Sequence, residues 1–332
     1  MKPLFCLLSL PLLLFLNSCD REKPFTKELS GRYDPATEVF IEAQVPRENS
    51  FLYRVSLENG ARDRIPTSEF SRTLDLPLGS KSVFAPANNR SVFYQDNSNG
   101  LILQQSAGSA TITDFIPITV PDYEQHLNWL EQLFFGKTNN EVWLSYNGSA
   151  ILLKVDLEQL TISLLTDSLA TGSIGLHRYL LDPAADRLYF FGKDRAASPI
   201  WADTLLIFNS NTFELEDSKS LSPVFAIIQD PASGRIFGLT APNQDRGVRL
   251  AEIRPMDINP IRVISPEDLP IDQVSTNLSA IHTATNTLII KTGNNSIDSP
   301  TNFLQRIDLN TGELSATTEV IPGTIITGIF AE

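Results

Sequence analysis

Cysteine and histidine are nearly missing from this chain, which holds two of the first and three of the second in 332 residues. Both cysteines, Cys6 and Cys19, fall within the first nineteen positions. Beyond them, disulfides, thiolate nucleophiles, cysteine-ligated zinc and iron–sulfur clusters are excluded. A histidine zinc site would need nearly all of His126, His177 and His282 in one place, so no metal ligands are assigned. Positive charge is also scarce: 26 Lys and Arg against 39 Asp and Glu leave a net charge of −13. That balance argues against nucleic acid, where cationic side chains must replace condensed counterions. It should also hold the domain off an anionic bilayer. No Gly-x-Ser-x-Gly elbow, His-Glu-x-x-His, phosphate loop or dinucleotide fingerprint occurs, so no catalytic residue is assigned. No helical periodicity of useful length is present.

The one long hydrophobic run is at the start. Lys2 precedes an apolar stretch from Leu4 to Leu16, interrupted only by Cys6, Ser9 and Pro11. This is too short to cross roughly 30 Å of hydrocarbon but fits a secretory leader. Leu16-Asn17-Ser18-Cys19 closes it. These four residues resemble the lipobox of bacterial lipoproteins, with Asn17 a departure from the commoner small residues. The resemblance implies cleavage after residue 18 and a lipid on Cys19, placing the protein in the bacterial cell envelope as a membrane-anchored lipoprotein, outer membrane favoured and leaflet open. Residues 1–18 then form the signal peptide and 19–32 a lipidated linker. Removing residues 1–18 takes away Lys2 and no acid, moving the net charge from −13 to −14.

The remainder repeats. A turn followed by a β-prone run occurs at Asp34–Ile41, Pro86–Tyr94, Lys137–Leu144, Asp182–Phe190, Asp230–Phe237 and Thr283–Ile290. The first strand residues, Val39, Ser91, Val142, Leu188, Ile236 and Leu288, lie 52, 51, 46, 48 and 52 positions apart. Each copy has a later β run, such as Phe51–Val55 or Phe303–Ile307, and several end in hairpin chemistry at Asn59-Gly60 and Asn310-Thr311-Gly312. Three or four short strands per unit of about 50 residues is the signature of a propeller blade. The first unit lacks an inner strand, and the chain finishes on one, Gly323–Phe330. The expectation is an all-β, six-bladed β-propeller over residues 33–332, closed by pairing of the C-terminal strand with the N-terminal blade. The pattern resembles bacterial six-bladed propellers of the broad TolB-like and NHL-like class. It is similar to uncharacterised propeller lipoproteins of Bacteroidetes.

Propeller geometry puts the short Asp-Pro turns on one face and the variable loops on the other. Binding side chains concentrate on variable loops held by a rigid scaffold. His177 and Arg178 are expected to begin an inner strand at the channel mouth, with Glu131-Gln132, Ser80-Lys81 and Asn277 at comparable offsets. Trp201, in the long loop 193–203, is a candidate stacking platform, with packing against its own loop the plainer reading. His282 replaces the Asp of the structural turns and is expected to be an exposed turn residue. Asp156 and Asp308 read as a repeat feature, Trp129 and Trp143 as core, and Asp96–Gly100 as a hairpin turn.

Two functions fit. One is a non-catalytic, lipid-tethered propeller binding a protein or envelope component through its loop face, with no cofactor. The other is a channel-mouth enzyme, such as a metal-assisted hydrolase or lactonase-like activity, with Ca²⁺ held by oxygen ligands including Glu131 and Asn277.

Overall fold

The computed structural model describes residues 34, 36–44, 50–64, 82–85, 90–95, 101–106, 112–117, 130–138, 140–146, 151–159, 161–194, 201–230, 232–241, 247–271, 274–294 and 300–331. These residues are all β, with one 3-10 turn at Thr283–Thr285. The strands are β1 (Glu38–Gln44), β2 (Ser50–Ser56), β3 (Arg62–Arg64), β4 (Ser82–Ala85), β5 (Arg90–Gln95), β6 (Leu101–Ser106), β7 (Ile112–Pro117) and β8 (Leu130–Phe135). They continue with β9 (Glu141–Tyr146), β10 (Ile151–Asp156), β11 (Thr161–Thr166), β12 (Ile174–Asp182), β13 (Arg187–Asp194), β14 (Ala202–Asn209), β15 (Leu215–Gln229) and β16 (Ile236–Thr240). The last are β17 (Arg249–Ile253), β18 (Ile261–Val263), β19 (Val274–His282), β20 (Thr287–Thr292), β21 (Phe303–Asp308), β22 (Leu314–Glu319) and β23 (Ile325–Phe330). The repeated turns therefore open β1, β5, β9, β13, β16 and β20, at or one residue before the positions the spacing marks.

Pairing is antiparallel throughout, in sheets ordered β23-β1-β2-β3, β4-β5-β6-β7, β8-β9-β10-β11, β12 through β18, and β19-β20-β21-β22. The sequence leads one to expect six separate blades; the fourth and fifth units are instead one seven-stranded sheet. The cause is β15, which crosses between them without a loop. Its first half pairs with β14 and its second with β16. The register slips between Phe225 and Ile228, and Ala226 takes a positive φ of 49°. A residue in that region lets a strand change course without leaving the sheet. The last strand pairs with the first, Phe330 opposite Phe40.

Apolar side chains are buried between neighbouring sheets. Phe134, Trp143, Tyr179 and Phe190 pack β8–β9 on β12–β13, with the Phe134 and Tyr179 rings stacked at 5.4 Å. Val39, Ile41, Val55 and Ile329 join Ile289, Leu304 and Val320 in the same way. Strands β23, β4, β8, β12, β15 and β19 each approach the next, and β19 approaches β23.

Turn chemistry repeats with the strands. Asp156, Asn209 and Asp308 end the third strands of their units, and each side-chain oxygen accepts two backbone N–H groups of the following turn. They are structural caps. Gly60 has φ of +69°, and a Cβ there would lie 2.2 Å from the Glu319 carbonyl of the adjoining sheet. The Asn-Gly hairpin thus also sets how closely two sheets approach.

Candidate functional site

Two sheet ends differ in how the chain turns. At one end the connections are short, as from Asp182 to Arg187, His282 to Thr287 and Asp156 to Thr161. At the other several run longer, as from Arg64 to Ser82, Asp194 to Ala202 and Thr292 to Phe303, while Tyr146 to Ile151 stays short. Short turns need only hydrogen-bonded caps. The longer segments can carry recognition residues.

Near this second end the edge strands share an irregularity. The register skips Glu131 in β8, His177 in β12 and Thr327 in β23. The slips fall opposite Ser145/Tyr146, Phe191/Gly192 and Glu42/Ala43, the same rungs of three units. In β19 the register slips between Val274 and Ser279, a stretch containing Asn277. Bulges of this kind bend a strand and redirect side chains, and they concentrate at rims and beside sites. Glu131, His177 and Asn277 are thus brought to equivalent backbone positions; their side chains lie outside the described residues.

His177 and Arg178 do not begin their strand. β12 starts three residues earlier, at Ile174, because the bulge lets pairing continue past His177 to Gly175 and Ile174. Arg178 is partly buried, and its Nε is enclosed without a hydrogen-bond partner. Burial lowers its pKa to about 10, still cationic at neutral pH.

Three neighbours take on specific roles, of which the sequence pointed to the positions of Gln132 and Lys193 but not to Lys291. Gln132 is buried and bridges two edge strands: its amide donates to the Tyr179 carbonyl at 3.0 Å and its oxygen accepts from the Tyr179 N–H at 2.6 Å. Lys291 is fully buried on β20 opposite the β19 irregularity, and its Nζ donates to the Gly293 carbonyl at 3.1 Å. Desolvation lowers its pKa to about 8. Its only signal in the sequence is a lysine closing the apolar run Leu288-Ile289-Ile290. Lys193 is buried with its Nζ 4.5 Å from the centre of the Trp201 ring. Strand β13 extends through Asp194, so the loop is shorter than 193–203. Trp201 also packs against the Phe225 and Phe237 cluster. Its ring is half-buried and held on one side by a cation, a contact worth roughly 0.5–2 kcal/mol.

His282 is not an exposed turn residue. It is fully buried, with Nδ1 2.6 Å from Thr285 Oγ1, which in turn lies 2.9 Å from Thr287 Oγ1. The hydroxyl three residues on takes up the ring nitrogen as Thr37 and Ser233 take up the carboxylates of Asp34 and Asp230 in their turns. Trp143 is core, 1% exposed. Cys19, Ser80-Lys81, Asp96–Gly100, His126 and Trp129 have side chains outside the described residues. Among the described residues no group of three His, Cys, Asp or Glu could hold a metal ion. No helix among them is long and apolar enough to cross a membrane.

No family model matches the chain, and no curated protein matches it in sequence. Solved structures do match in shape. A structure of a nidogen/laminin complex is similar at 12% identity and a TM-score of 0.55, covering 88% of this chain and 97% of that one. A candidate 6-phosphogluconolactonase from Bacteroides uniformis is similar at 10% identity and 0.53, covering 88% and 99%. The β-propeller domain of Cps50 (Swd1) from Myceliophteria thermophila is similar at 10% and 0.50, covering 88% of each. The chain has β-propeller character. At these identities the likeness extends to the fold alone.

Proposed function

We propose that this chain is a six-bladed β-propeller, anchored in the bacterial cell envelope by lipid on Cys19, that binds a protein or envelope component through its variable loop face without catalysis. The six-bladed part is supported by the succession of β23, β4, β8, β12, β15 and β19, each of which neighbours the next and the last the first; four of them edge four-stranded sheets, and β12 and β15 begin the two halves of the seven-stranded one. On this reading the two halves of β15 belong to different blades, and the β23–β1 pairing is the ring closure.

The observation that carries the binding reading is the contrast between the two sheet ends. Capped, short turns occupy one, whereas the other gathers the long connections, the shared bulges, Arg178 and the Lys193–Trp201 pair. A buried cation beneath an indole presents a rigid, amphipathic surface suited to a partner. The test is crosslinking in cells, purification in mild detergent and mass spectrometry. A stoichiometric partner lost on Trp201→Ala supports binding; a partner-free monomer counts against it. Metabolic labelling with an alkyne fatty acid, lost in Cys19→Ser, tests the anchor.

A further inference from the structure

We propose that the hairpin between β17 and β18 touches the lipid surface and sets the orientation of the tethered propeller, an inference that rests on the anchored, six-bladed reading above. Five large apolar side chains are exposed among the described residues, and Met256, Ile258 and Val263 lie in this one segment. Ile258 is 96% exposed, so the tip makes almost no use of its side chain within the fold. An apolar cluster of this kind marks a contact surface.

A cationic base surrounds it. Glu252 is shared by Arg235 at 2.8 Å, Arg254 at 2.9 Å and Arg262 at 3.6 Å. The Nζ of Lys219 donates to the Asp257 carbonyl at 2.9 Å and fastens the turn. Set against these four cations, Glu252, Asp257 and Asp217 are the acids paired with them, leaving one positive charge in excess. With Asp230 in the same turn as Arg235 the base is balanced, a concentration of cations unusual in a chain whose net charge is −13.

Position identifies the occupant. Within a unit, the turn from first to second strand and the turn from third to fourth share one sheet end. The hairpin is a turn of the second kind, and Asp34 precedes β1 at the first kind. Strand β23 also finishes there, with Phe330 opposite Phe40. A lipid on Cys19 would therefore draw this end toward the bilayer, through residues 19–32 with a reach of roughly 50 Å at about 3.5 Å per residue. A tether raises the effective concentration of the surface to roughly the millimolar range. Insertion of one isoleucine and one methionine, with guanidiniums at the headgroups, then suffices to fix orientation. The acidic remainder is repelled, so contact stays at one point.

The test uses the full chain with Cys6→Ser and Cys19→Ser, a C-terminal hexahistidine tag and nickel-chelating vesicles. This tether does not need Cys19, so it separates the hairpin's role from lipidation, which fatty-acid labelling reads alone. An environment-sensitive dye is placed at Ile258→Cys, or at Ser173→Cys at the opposite end. On vesicles containing phosphatidylglycerol, the dye at 258 should brighten at least twofold and shift to the blue, and the dye at 173 should not respond. Adding Arg254→Glu and Arg262→Glu should cut the response at least by half, with the fold checked by circular dichroism. No change at 258, or equal changes at both positions, overturns the proposal. A response that needs an added envelope protein overturns it in favour of a protein partner.

Discussion

The outer rungs of two units carry the same ionic arrangement with opposite signs. In the first, Arg54 sits between Glu38 at 3.6 Å and Asp63 at 3.7 Å. In the fifth, Glu252 sits between Arg235 at 2.8 Å and Arg262 at 3.6 Å. The registers coincide: Arg54 pairs with Phe40 and Asp63, and Glu252 with Phe237 and Arg262. The scaffold therefore fixes where a central charge is buried and leaves its sign free. What differs is stoichiometry. Arg54 holds two acids, whereas Glu252 also takes Arg254, and Arg235 lies 4.7 Å from the centre of the Phe237 ring. The surplus guanidinium concentrates cations in the fifth unit.

Breaking the centre of each triad should give the largest effects. Glu252→Gln removes the carboxylate that Arg235, Arg254 and Arg262 share and should cost about 2–3 kcal/mol in urea unfolding, held at that size because the guanidiniums are half-exposed and Arg254 keeps Asp257. Arg54→Met leaves the buried Glu38 carboxylate without its cation and facing Asp63, and should cost about 2 kcal/mol, because Asp63 is half-exposed and Glu38 keeps the Asp34 N–H. A cost at Arg54 larger than at Glu252 would show that the third arginine contributes nothing. Exchanging the signs sharpens this. Arg235→Glu, Glu252→Arg and Arg262→Asp together reproduce the first triad but set Arg254 against a new cation. That variant should lose about 1–2 kcal/mol, and adding Arg254→Ser should recover most of it.

Close in size is the link between edge strands. Gln132→Leu strips both hydrogen bonds from the buried Tyr179 backbone and should cost about 2–3 kcal/mol by the same measurement. Lys291 should move the other way. Its folded pKa is lowered from 10.5 to about 8, so between those values the unfolded chain binds more protons and stability rises with pH. Lys291→Met should raise stability at pH 7 by about 1–2 kcal/mol and abolish the rise above pH 8.

The most local test is the pH dependence of the Glu252 triad. Hydrogen bonding from Arg235 lowers its carboxyl pKa, opposed by desolvation and reinforced by Arg254. Its contribution is complete above the unfolded carboxylate range, near 4.5, and is lost as pH falls through the lowered folded value. Acid titration of wild type against Glu252→Gln should show the two converging at low pH. Parallel curves would assign the stabilisation to packing.

Much of the fold could be read directly because its cause is local. The period of about 50 residues, the turn residues and the alternation of β-prone runs are written into each unit, and a strand forms wherever they coincide. Asp156 and Asp308 were recognisable as repeat features because a capping carboxylate acts within three residues of itself. The site was less legible for the opposite reason. Arg178 was singled out, but its place in β12 depends on a bulge that only the partner strand creates. Gln132 was marked by its offset in the repeat, but its link to Tyr179 and the burial of Lys291 both depend on other strands, which nothing in their sequence neighbours reveals. His282 misleads because the same turn position holds an exposed or half-buried aspartate in other units, and nothing near it in sequence marks that the ring is covered here.

By itself, then, the sequence determined the strand content, the unit length and the turns, all governed by interactions a few residues in range. It also marked the pairing of its last strand with its first, since the first unit lacks an inner strand and the pattern finishes on an unpartnered one. Only the tertiary structure decided that β15 runs unbroken through two units, that bulges recur on the same rungs, and that Glu252 gathers three arginines. Each of these is settled by packing and pairing between segments distant in sequence, where the alternatives differ by contacts that no single segment makes.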